Sequence, residues 1–333
     1  MADLGVGVIG LGRMGWLHAE HVQGAVRGAR LVAATVDSDH RARLEVSGTA
    51  PCPLVPDAAA LVRDPRVDVV VIASPSIAHQ EHIAEAAAVG KPTFCEKPLA
   101  DSVDGAMSAI ADITKAAIPF QIGFQRRFDP GYARAKALIE QGAIGAPEMF
   151  RGLTCDRMPP IDYLRTSGGL FRDLGVHDFD AARFLMADEV VAVQAAGAIL
   201  IEPALATFDD VDHGVVTLRF ARGGLGVVQN AWRAPSGYDI RAEVHGTAGK
   251  VVTELDEEVD TRLYDRQGRV VTRHFEFVER FRPAYRLELQ AFVDAVRADK
   301  PVTPTADDGL QALLIADAAT ESRRSGAWVK IGR

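Results

Sequence analysis

Apolar and polar positions follow two different rhythms along this chain. Over the first 124 residues, apolar runs of strand length alternate with stretches of 3.6-residue apolar period. The strand runs are residues 4–9, 31–36, 67–73, 92–96 and 118–124. Helical patterns run through Leu17, His21 and Val22, then over 57–63, 79–89 and 103–116. Strands and helices in alternation build a parallel sheet with helices on its faces. From Gln125 the rhythm changes. Asp129-Pro130 reads as an N-cap followed by proline at the first helical position, with the helix ending near Gly142. A strand at 148–155 is followed by candidate strands at 190–200, 213–220, 225–232, 240–245, 250–255, 261–264 and 269–277. The turns at 222–224, 246–249 and 266–268 are hairpin-like. Short turns between sequential strands predict a large, mostly antiparallel open sheet. A helix would cover one face and leave the other for a second subunit. Helices at 283–298 and 307–324 close the pattern. The prediction is an α/β chain with a dinucleotide-binding domain over 1–124 and a substrate and oligomerisation domain over 125–333.

Composition narrows the class. The 333 residues are 48% hydrophobic and 25% charged, as in ordinary globular enzymes, and the net charge of −8 disfavours a general nucleic-acid binder. No apolar run approaches the roughly 20 residues of a membrane helix. The first residues carry no basic segment ahead of an apolar one, so no signal peptide is read there. Cys52, Cys95 and Cys155 are widely spaced and form no CxxC pair. This fits a reducing cytoplasm and inert thiols rather than a zinc cluster or disulfide framework.

The first strand runs straight into Gly10-Leu11-Gly12-Arg13-Met14-Gly15, and a helix follows. In that setting each glycine has a reason. Gly10 allows the tight turn, Gly12 lets a pyrophosphate approach the backbone, and Gly15 lets helix and strand pack closely. Arg13 and Met14 would lie along the same cofactor edge. The second strand ends at Asp37, where an acid binds the adenosine ribose hydroxyls and repels a 2′-phosphate, which favours NAD over NADP. Arg41 and Arg43 follow closely and would serve a 2′-phosphate if they faced it. Ser74 ends the third strand, where ligands sit in open α/β sheets. His79 and His82 share helical spacing without a third ligand, so His79 is read as a cap or cofactor-side residue and His82 as exposed. The fourth strand ends in Glu96-Lys97-Pro98. Proline sets the Lys97 backbone away from helical angles, and a lysine held there can polarise a hydroxyl.

Ser167 to Asp180 carries the second candidate constellation. Asp173 and His177 stand four residues apart, on one face of a helix. A carboxylate and an imidazole on one face can hold and move a proton; an ordinary surface pair uses the same spacing. Gly168 and Gly169 would let that helix start close against the cofactor.

Taken together, the glycine loop, Glu96-Lys97-Pro98, and Gly168-Gly169 with Asp173 and His177 resemble the glucose-fructose oxidoreductase and inositol dehydrogenase (Gfo/Idh/MocA) family, over essentially the whole chain. The closing helix and residues 328–331, read as a last strand, are similar too. The resemblance implies a Rossmann domain followed by an α/β domain whose open sheet is buried in dimers or tetramers. It implies NAD(P)-dependent oxidation or reduction at a sugar or cyclitol carbon. It places Lys97, Asp173 and His177 on the catalytic set and Asp37 on the ribose acid. Residues 123–129, with Arg127, and Gly237-Tyr238-Asp239 are similar to segments of inositol dehydrogenases, which places Tyr238 in the substrate pocket. The chain departs from them at Arg157-Met158-Pro159 and at Ser236, both near the expected pocket, and this leaves the polyol open.

On this reading His177 is the general base, Asp173 binds a neighbouring substrate hydroxyl, and Lys97 stabilises the developing alkoxide. Imidazoles titrate near 6.5, which suits a base at neutral pH. Arg127, Arg157 and Tyr238 join Lys97, Asp173 and His177 as candidate substrate contacts. The cofactor set is Gly10, Gly12, Arg13, Met14, Gly15, Asp37, Ser74, His79, Glu96 and Lys97. Two alternatives stand beside inositol: another sugar or amino-cyclitol precursor, and a non-catalytic NAD-binding regulator of the same fold.

Overall fold

The computed structural model describes residues 2–37, 41, 44, 47–254, 257–265 and 268–332, with the backbone alone for 257–265 and 268–273. Arg43, Leu255, Arg266 and Gln267, which enter the readings above, lie outside the described residues. The chain forms two compact units, Met1–Gln125 with Tyr285–Leu310, and Arg126–Ala284 with Gln311–Arg333. The first change of unit falls one residue past the 124/125 cut. Residues 285–310, expected in the second domain, group with the first. Leu289, Phe292 and Val293 explain this, since they pack into the core of Val6, Val8, Val71 and Phe94.

In the first unit, β1 (Leu4–Ile9), β2 (Ala29–Thr35), β3 (Val69–Ile72), β4 (Thr93–Glu96) and β5 (Phe120–Gly123) form one parallel sheet in the order β2-β1-β3-β4-β5. β3 is apolar at every position because both its faces are covered. α1 (Arg13–Gly24), α2 (Ala58–Arg63), α3 (His79–Ala88) and α4 (Val103–Ala116) connect the strands. The Asp57 side chain accepts from Ala60 N at 2.7 Å to start α2, and Ser102 accepts from Gly105 N at 3.1 Å to start α4. The strand order reverses between β1 and β3, which puts the crevice for a ligand beyond their carboxyl ends.

The second unit holds a seven-stranded sheet in the order β11-β10-β6-β9-β8-β7-β14. Its strands are β6 (Pro147–Cys155), β7 (Val190–Ala198), β8 (His213–Phe220), β9 (Leu225–Ala231), β10 (Asp239–Gly246), β11 (Gly249–Thr253) and β14 (Val329–Lys330). Short turns make the β8–β9 and β10–β11 pairs antiparallel, as expected, and β7 pairs antiparallel with β8 across the longer connection 199–212. β6 lies between β9 and β10 and runs parallel to β9. β9 and β10 are therefore not neighbours, and the sheet is mixed but mostly antiparallel, as expected. β12 (Glu257–Asp265) and β13 (Gly268–Arg273) make a separate two-stranded ribbon. α5 (Pro130–Glu140) begins as predicted, with Asp129 accepting from Gly131 N and Tyr132 N. α6 (Ile161–Leu164) was not visible in the pattern. Phe179 and Ala182 of α7 (Val176–Met186) pack with Phe150 and Val228 of the sheet. The opposite face leaves Met149, Val191, Val215 and Leu225 exposed.

α8 (Phe277–Arg297) begins six residues before the Pro283 start read from the sequence. Proline marks a helix start well but tolerates an early interior position. The apolar face of Phe281, Ala284 and Tyr285, all buried, carries the helix across it. α9 spans Ala306–Ser325.

β7 stops at Ala198, before the expected Leu200, because buried Asp212 gathers the next backbone groups. It accepts from Leu200 N and Ile201 N at 2.8 Å, Glu202 N at 3.0 Å, and lies 2.7 Å from His213 Nδ1. Burial raises the Asp212 pKa, but the His213 contact and these N–H groups outweigh it and hold it below the ordinary 3.8. A depressed carboxylate stabilises the fold above the unfolded value and ceases to do so as pH falls through the folded one. Asp212→Ala is expected to cost about 3 kcal/mol or more at neutral pH, with a gap to the wild type that narrows below pH 3.8. Denaturant unfolding across pH measures this; a pH-independent gap would contradict it.

Candidate active site

The first unit supplies a cradle for a dinucleotide phosphate. Gly10 has φ +92°, and a Cβ there would meet Ser74 Cα at 2.8 Å. The turn after β1 thus touches the turn after β3 at the switch of strand order. A Cβ on Gly15 would lie 1.7 Å from the Gly10 carbonyl oxygen, so α1 and the turn meet backbone to backbone. A Cβ on Gly12 would meet nothing within 4 Å. Gly12 is the N-cap of α1 and has no side chain of its own to bond the helix's first N–H groups. Open space at a helix start without a side-chain cap fits a pyrophosphate. Exposed Arg13 and half-buried Met14 open α1, and exposed Asp37 follows β2. The Arg41 guanidinium bonds the carbonyls of Leu54 and Val55, which directs it to the chain itself. This agrees with Asp37 in favouring NAD.

Ser74, His79 and Lys97 are linked. Ser74 Oγ lies 2.9 Å from His82 Nδ1, so half-buried His82 is a bonded residue and not the plain exposed one expected. His79 is buried. Its Nε2 lies 3.0 Å from the Ser74 carbonyl and its Nδ1 2.7 Å from the Pro98 carbonyl. Burial lowers the His79 pKa against the pull of both carbonyls and of Glu96, which favours a neutral ring. A neutral ring donates to one of the two carbonyls. His79 is therefore a brace between the ends of β3 and β4. Glu96 is buried at the end of β4, and half-buried Lys97 follows it.

In the second unit, Asp173 and His177 fall where the helix changes form. Phe171–Gly175 is a π-helical turn, and α7 continues it from Val176. Such turns are frequent at functional sites because the wider winding re-aims side chains. Asp173 and His177 are both half-buried, and Asp173 Oδ1 accepts from Tyr163 Oη at 3.1 Å. The twin glycines have a local reason not foreseen. Both take positive φ (+84° and +91°), and a Cβ on Gly169 would lie 2.8 Å from Asp210 Oδ1.

Beside this pair lies a buried polar network that sequence reasoning missed. Asp178 Oδ1 accepts from Arg126 Nη1 at 2.6 Å and Thr154 Oγ1 at 3.0 Å; Asp178 Oδ2 accepts from Asn230 Nδ2 at 2.7 Å. Arg126 Nη2 also donates to Thr154 Oγ1 at 2.9 Å. The network anchors the residue next to His177 to β6 and β9. Arg126 follows the conspicuous Gln125, and an arginine this deeply buried requires a carboxylate partner. That burial comes from the packing and leaves no mark in the sequence. Arg127 makes a two-point ion pair with buried Asp180, at 2.6 and 3.0 Å, and stacks on Phe184. That pair compensates its charge within the fold. Arg157 is exposed and pairs with Glu276 at 3.1 Å. Tyr238 is buried edge-on to Phe281, and burial raises its pKa, so the phenol stays neutral.

Comparison with known proteins agrees with this geometry. Residues 4–124 match an oxidoreductase family described by its NAD-binding Rossmann fold, and residues 136–331 match the family's C-terminal α/β domain. The chain is 38% identical to myo-inositol 2-dehydrogenase of Thermotoga maritima, over 98% of both chains. It is 36% identical to scyllo-inositol 2-dehydrogenase (NAD(+)) of Bacillus subtilis, over 97% of this chain and 95% of that one. The structure superposes on scyllo-inositol dehydrogenase from Lactobacillus casei with bound NAD(H) and scyllo-inositol, with a TM-score of 0.92, 30% identity and 99% of each chain covered. With both domains matched and the glycine cradle in place, the chain belongs to the Gfo/Idh/MocA oxidoreductase family and carries its NAD-binding Rossmann fold.

Proposed function

We propose that this protein oxidises a ring hydroxyl of a cyclitol of the myo- or scyllo-inositol class and passes the hydride to NAD. What carries the reading is the placement of Asp173 and His177 four residues apart, on a π-helical turn and the helix that continues it, in a chain whose other unit has an NAD-binding fold. Full-length similarity to inositol 2-dehydrogenases supports the substrate class.

NAD, when bound, supplies the hydride acceptor. Gly10, Gly12, Arg13, Met14 and Gly15 hold its pyrophosphate, Asp37 its adenosine ribose, and Ser74, His79 and Glu96 frame its other edge. Lys97 donates to the reacting hydroxyl and stabilises negative charge on that oxygen. His177 takes the hydroxyl proton as the carbonyl forms. Asp173 accepts from a neighbouring hydroxyl and favours the charged imidazole. Tyr238 and Arg157 bound the substrate space. In this division of labour, residues 1–124 serve the cofactor and supply Lys97 to the substrate, and 125–333 supply the other substrate groups and self-association.

We also propose a homo-oligomer, a dimer or tetramer joined through the second unit's sheet. The row of exposed apolar residues on that sheet supports it. The free cysteines Cys52, Cys95 and Cys155 support a reducing, cytoplasmic setting.

The test is a panel of cyclitols and sugars with NAD and with NADP, read by nicotinamide absorbance. The expected result is turnover of myo- or scyllo-inositol with a preference for NAD. Turnover confined to sugars or amino-cyclitols would overturn the substrate class, and no turnover with tight NAD binding would favour a regulator.

A further inference from the structure

Behind the catalytic lysine, the first unit buries three ionisable groups from distant parts of the chain. They are His18 of α1, Glu96 at the end of β4, and Glu288 of α8. His18 and Glu288 are wholly buried and Glu96 nearly so. His18 Nε2 lies 2.6 Å from Glu96 Oε1, a hydrogen-bond length. One Glu288 carboxylate oxygen lies within 4.8 Å of the ligating atoms of the other two. Among the described residues, neither Glu288 oxygen has a hydrogen-bond partner. Aromatic rings wall the group: His18 stands edge-on to Phe94 at 5.3 Å and to Tyr285 at 6.1 Å. β5 contributes Gln121, which bonds the Glu288 carbonyl at 3.1 Å, and Gly123, where a Cβ would lie 3.1 Å from Glu96 Oε2.

Two ionised carboxylates in such a place, facing at most one imidazolium, would leave an uncompensated buried charge. One proton resolves this. We propose that Glu288 is a positioning residue for Lys97: a neutral carboxylic acid that leaves Glu96 as the single anion facing His18. His18 then holds the Glu96 side chain, and the missing Cβ at Gly123 leaves room for it. His79 fixes the Pro98 carbonyl on the other side, at 2.7 Å. Lys97 lies between two anchored neighbours, and protonated Glu288 turns an O–H toward Glu96, within 4.8 Å, in place of a second negative charge that would push that anchor away. The other ionisable groups around the cluster are Cys95, which burial and Glu96 keep as a thiol, His79, Lys97 and the Tyr285 phenol. Burial first and Glu96 second push the Glu288 pKa well above the ordinary 4.5, in accord with the geometry.

The role in positioning rests on Lys97 acting at the reacting hydroxyl; the protonation of Glu288 does not. The sign follows from linkage. A native state that binds a proton the unfolded state releases loses stability as pH rises above 4.5. Glu288→Gln keeps the shape and a donor but cannot ionise. Its Tm is expected to equal the wild type's near pH 4.5 and to exceed it increasingly toward neutral pH. Infrared difference spectra between the two proteins at neutral pH should show one protonated carboxyl band, lost in the variant. Turnover of Glu288→Gln should match the wild type, whereas Glu288→Leu, without a donor, should lower kcat by up to about 10²-fold with NAD affinity unchanged. A lower Tm for Glu288→Gln at neutral pH, no carboxyl band, or one equivalent of divalent metal in the purified protein would overturn the proposal. If wild-type protein turned over no cyclitol, the dehydrogenase reading would fail while the Tm and infrared results still decided the state of Glu288. Equal kcat for Glu288→Leu in an active enzyme would remove the positioning role alone.

Discussion

His177→Ala is expected to lower kcat for cyclitol oxidation by roughly 10²-fold or more while NAD affinity stays unchanged. The expectation rests on chemistry and on support. An alcohol cannot yield hydride without losing its hydroxyl proton, and imidazole is the side chain suited to take that proton near neutral pH. His177 is half-buried at the junction of the π-helical turn with α7, four residues from Asp173. Its neighbour Asp178 is fixed by Arg126, Thr154 and Asn230, so the backbone that carries the imidazole is held to β6 and β9. Preorganisation of this kind is lost with the ring and not restored by solvent. Initial rates and NAD titration of the variant measure it. An unchanged kcat would assign the proton to another group.

Two glycine substitutions should separate shape from ligand binding in the cofactor cradle. Gly15→Ala puts a Cβ 1.7 Å from the Gly10 carbonyl oxygen, and backbone on both sides leaves no flexible atom to yield. Overpacking there should destabilise the protein by about 3 kcal/mol or more and remove NAD binding with it. Gly12→Ala meets no protein atom within 4 Å, and its φ of −70° suits alanine. Its stability should stay within about 0.5 kcal/mol of the wild type, as for a surface change. NAD affinity should still fall, because the new methyl occupies the space a pyrophosphate needs. Denaturant unfolding paired with NAD titration reads both effects. Equal NAD affinity for Gly12→Ala and wild type would move the phosphate away from the start of α1.

Features set by neighbours in sequence were legible beforehand. The glycine turn, the cap at Asp129, the helix over Val103–Ala116 and the hairpin of β8 with β9 depend on residues within a few positions of one another. Features set by distant partners were not. Glu288 and Glu96 meet through packing of α8 on the parallel sheet, and no local pattern marks an unpartnered acid. Asp178 draws its partners from residues 126, 154 and 230. The insertion of β6 between β9 and β10 is likewise a choice among pairings that alternation leaves equal. Pro283 misled for another reason: a local start signal was overridden by apolar residues on both sides of it. Arg127 had the chemistry of a substrate contact, and only the structure reveals that Asp180 already holds it.

The central claim is that hydride passes from a cyclitol carbon to the nicotinamide. Turnover of myo-inositol deuterated at the carbon bearing the oxidised hydroxyl, with unlabelled NAD, tests it most directly. Mass spectrometry of the reduced nicotinamide should find the deuterium there, with a matching inosose as the other product. Reduced cofactor without the label, or an inositol left unoxidised while NAD is bound, would contradict it.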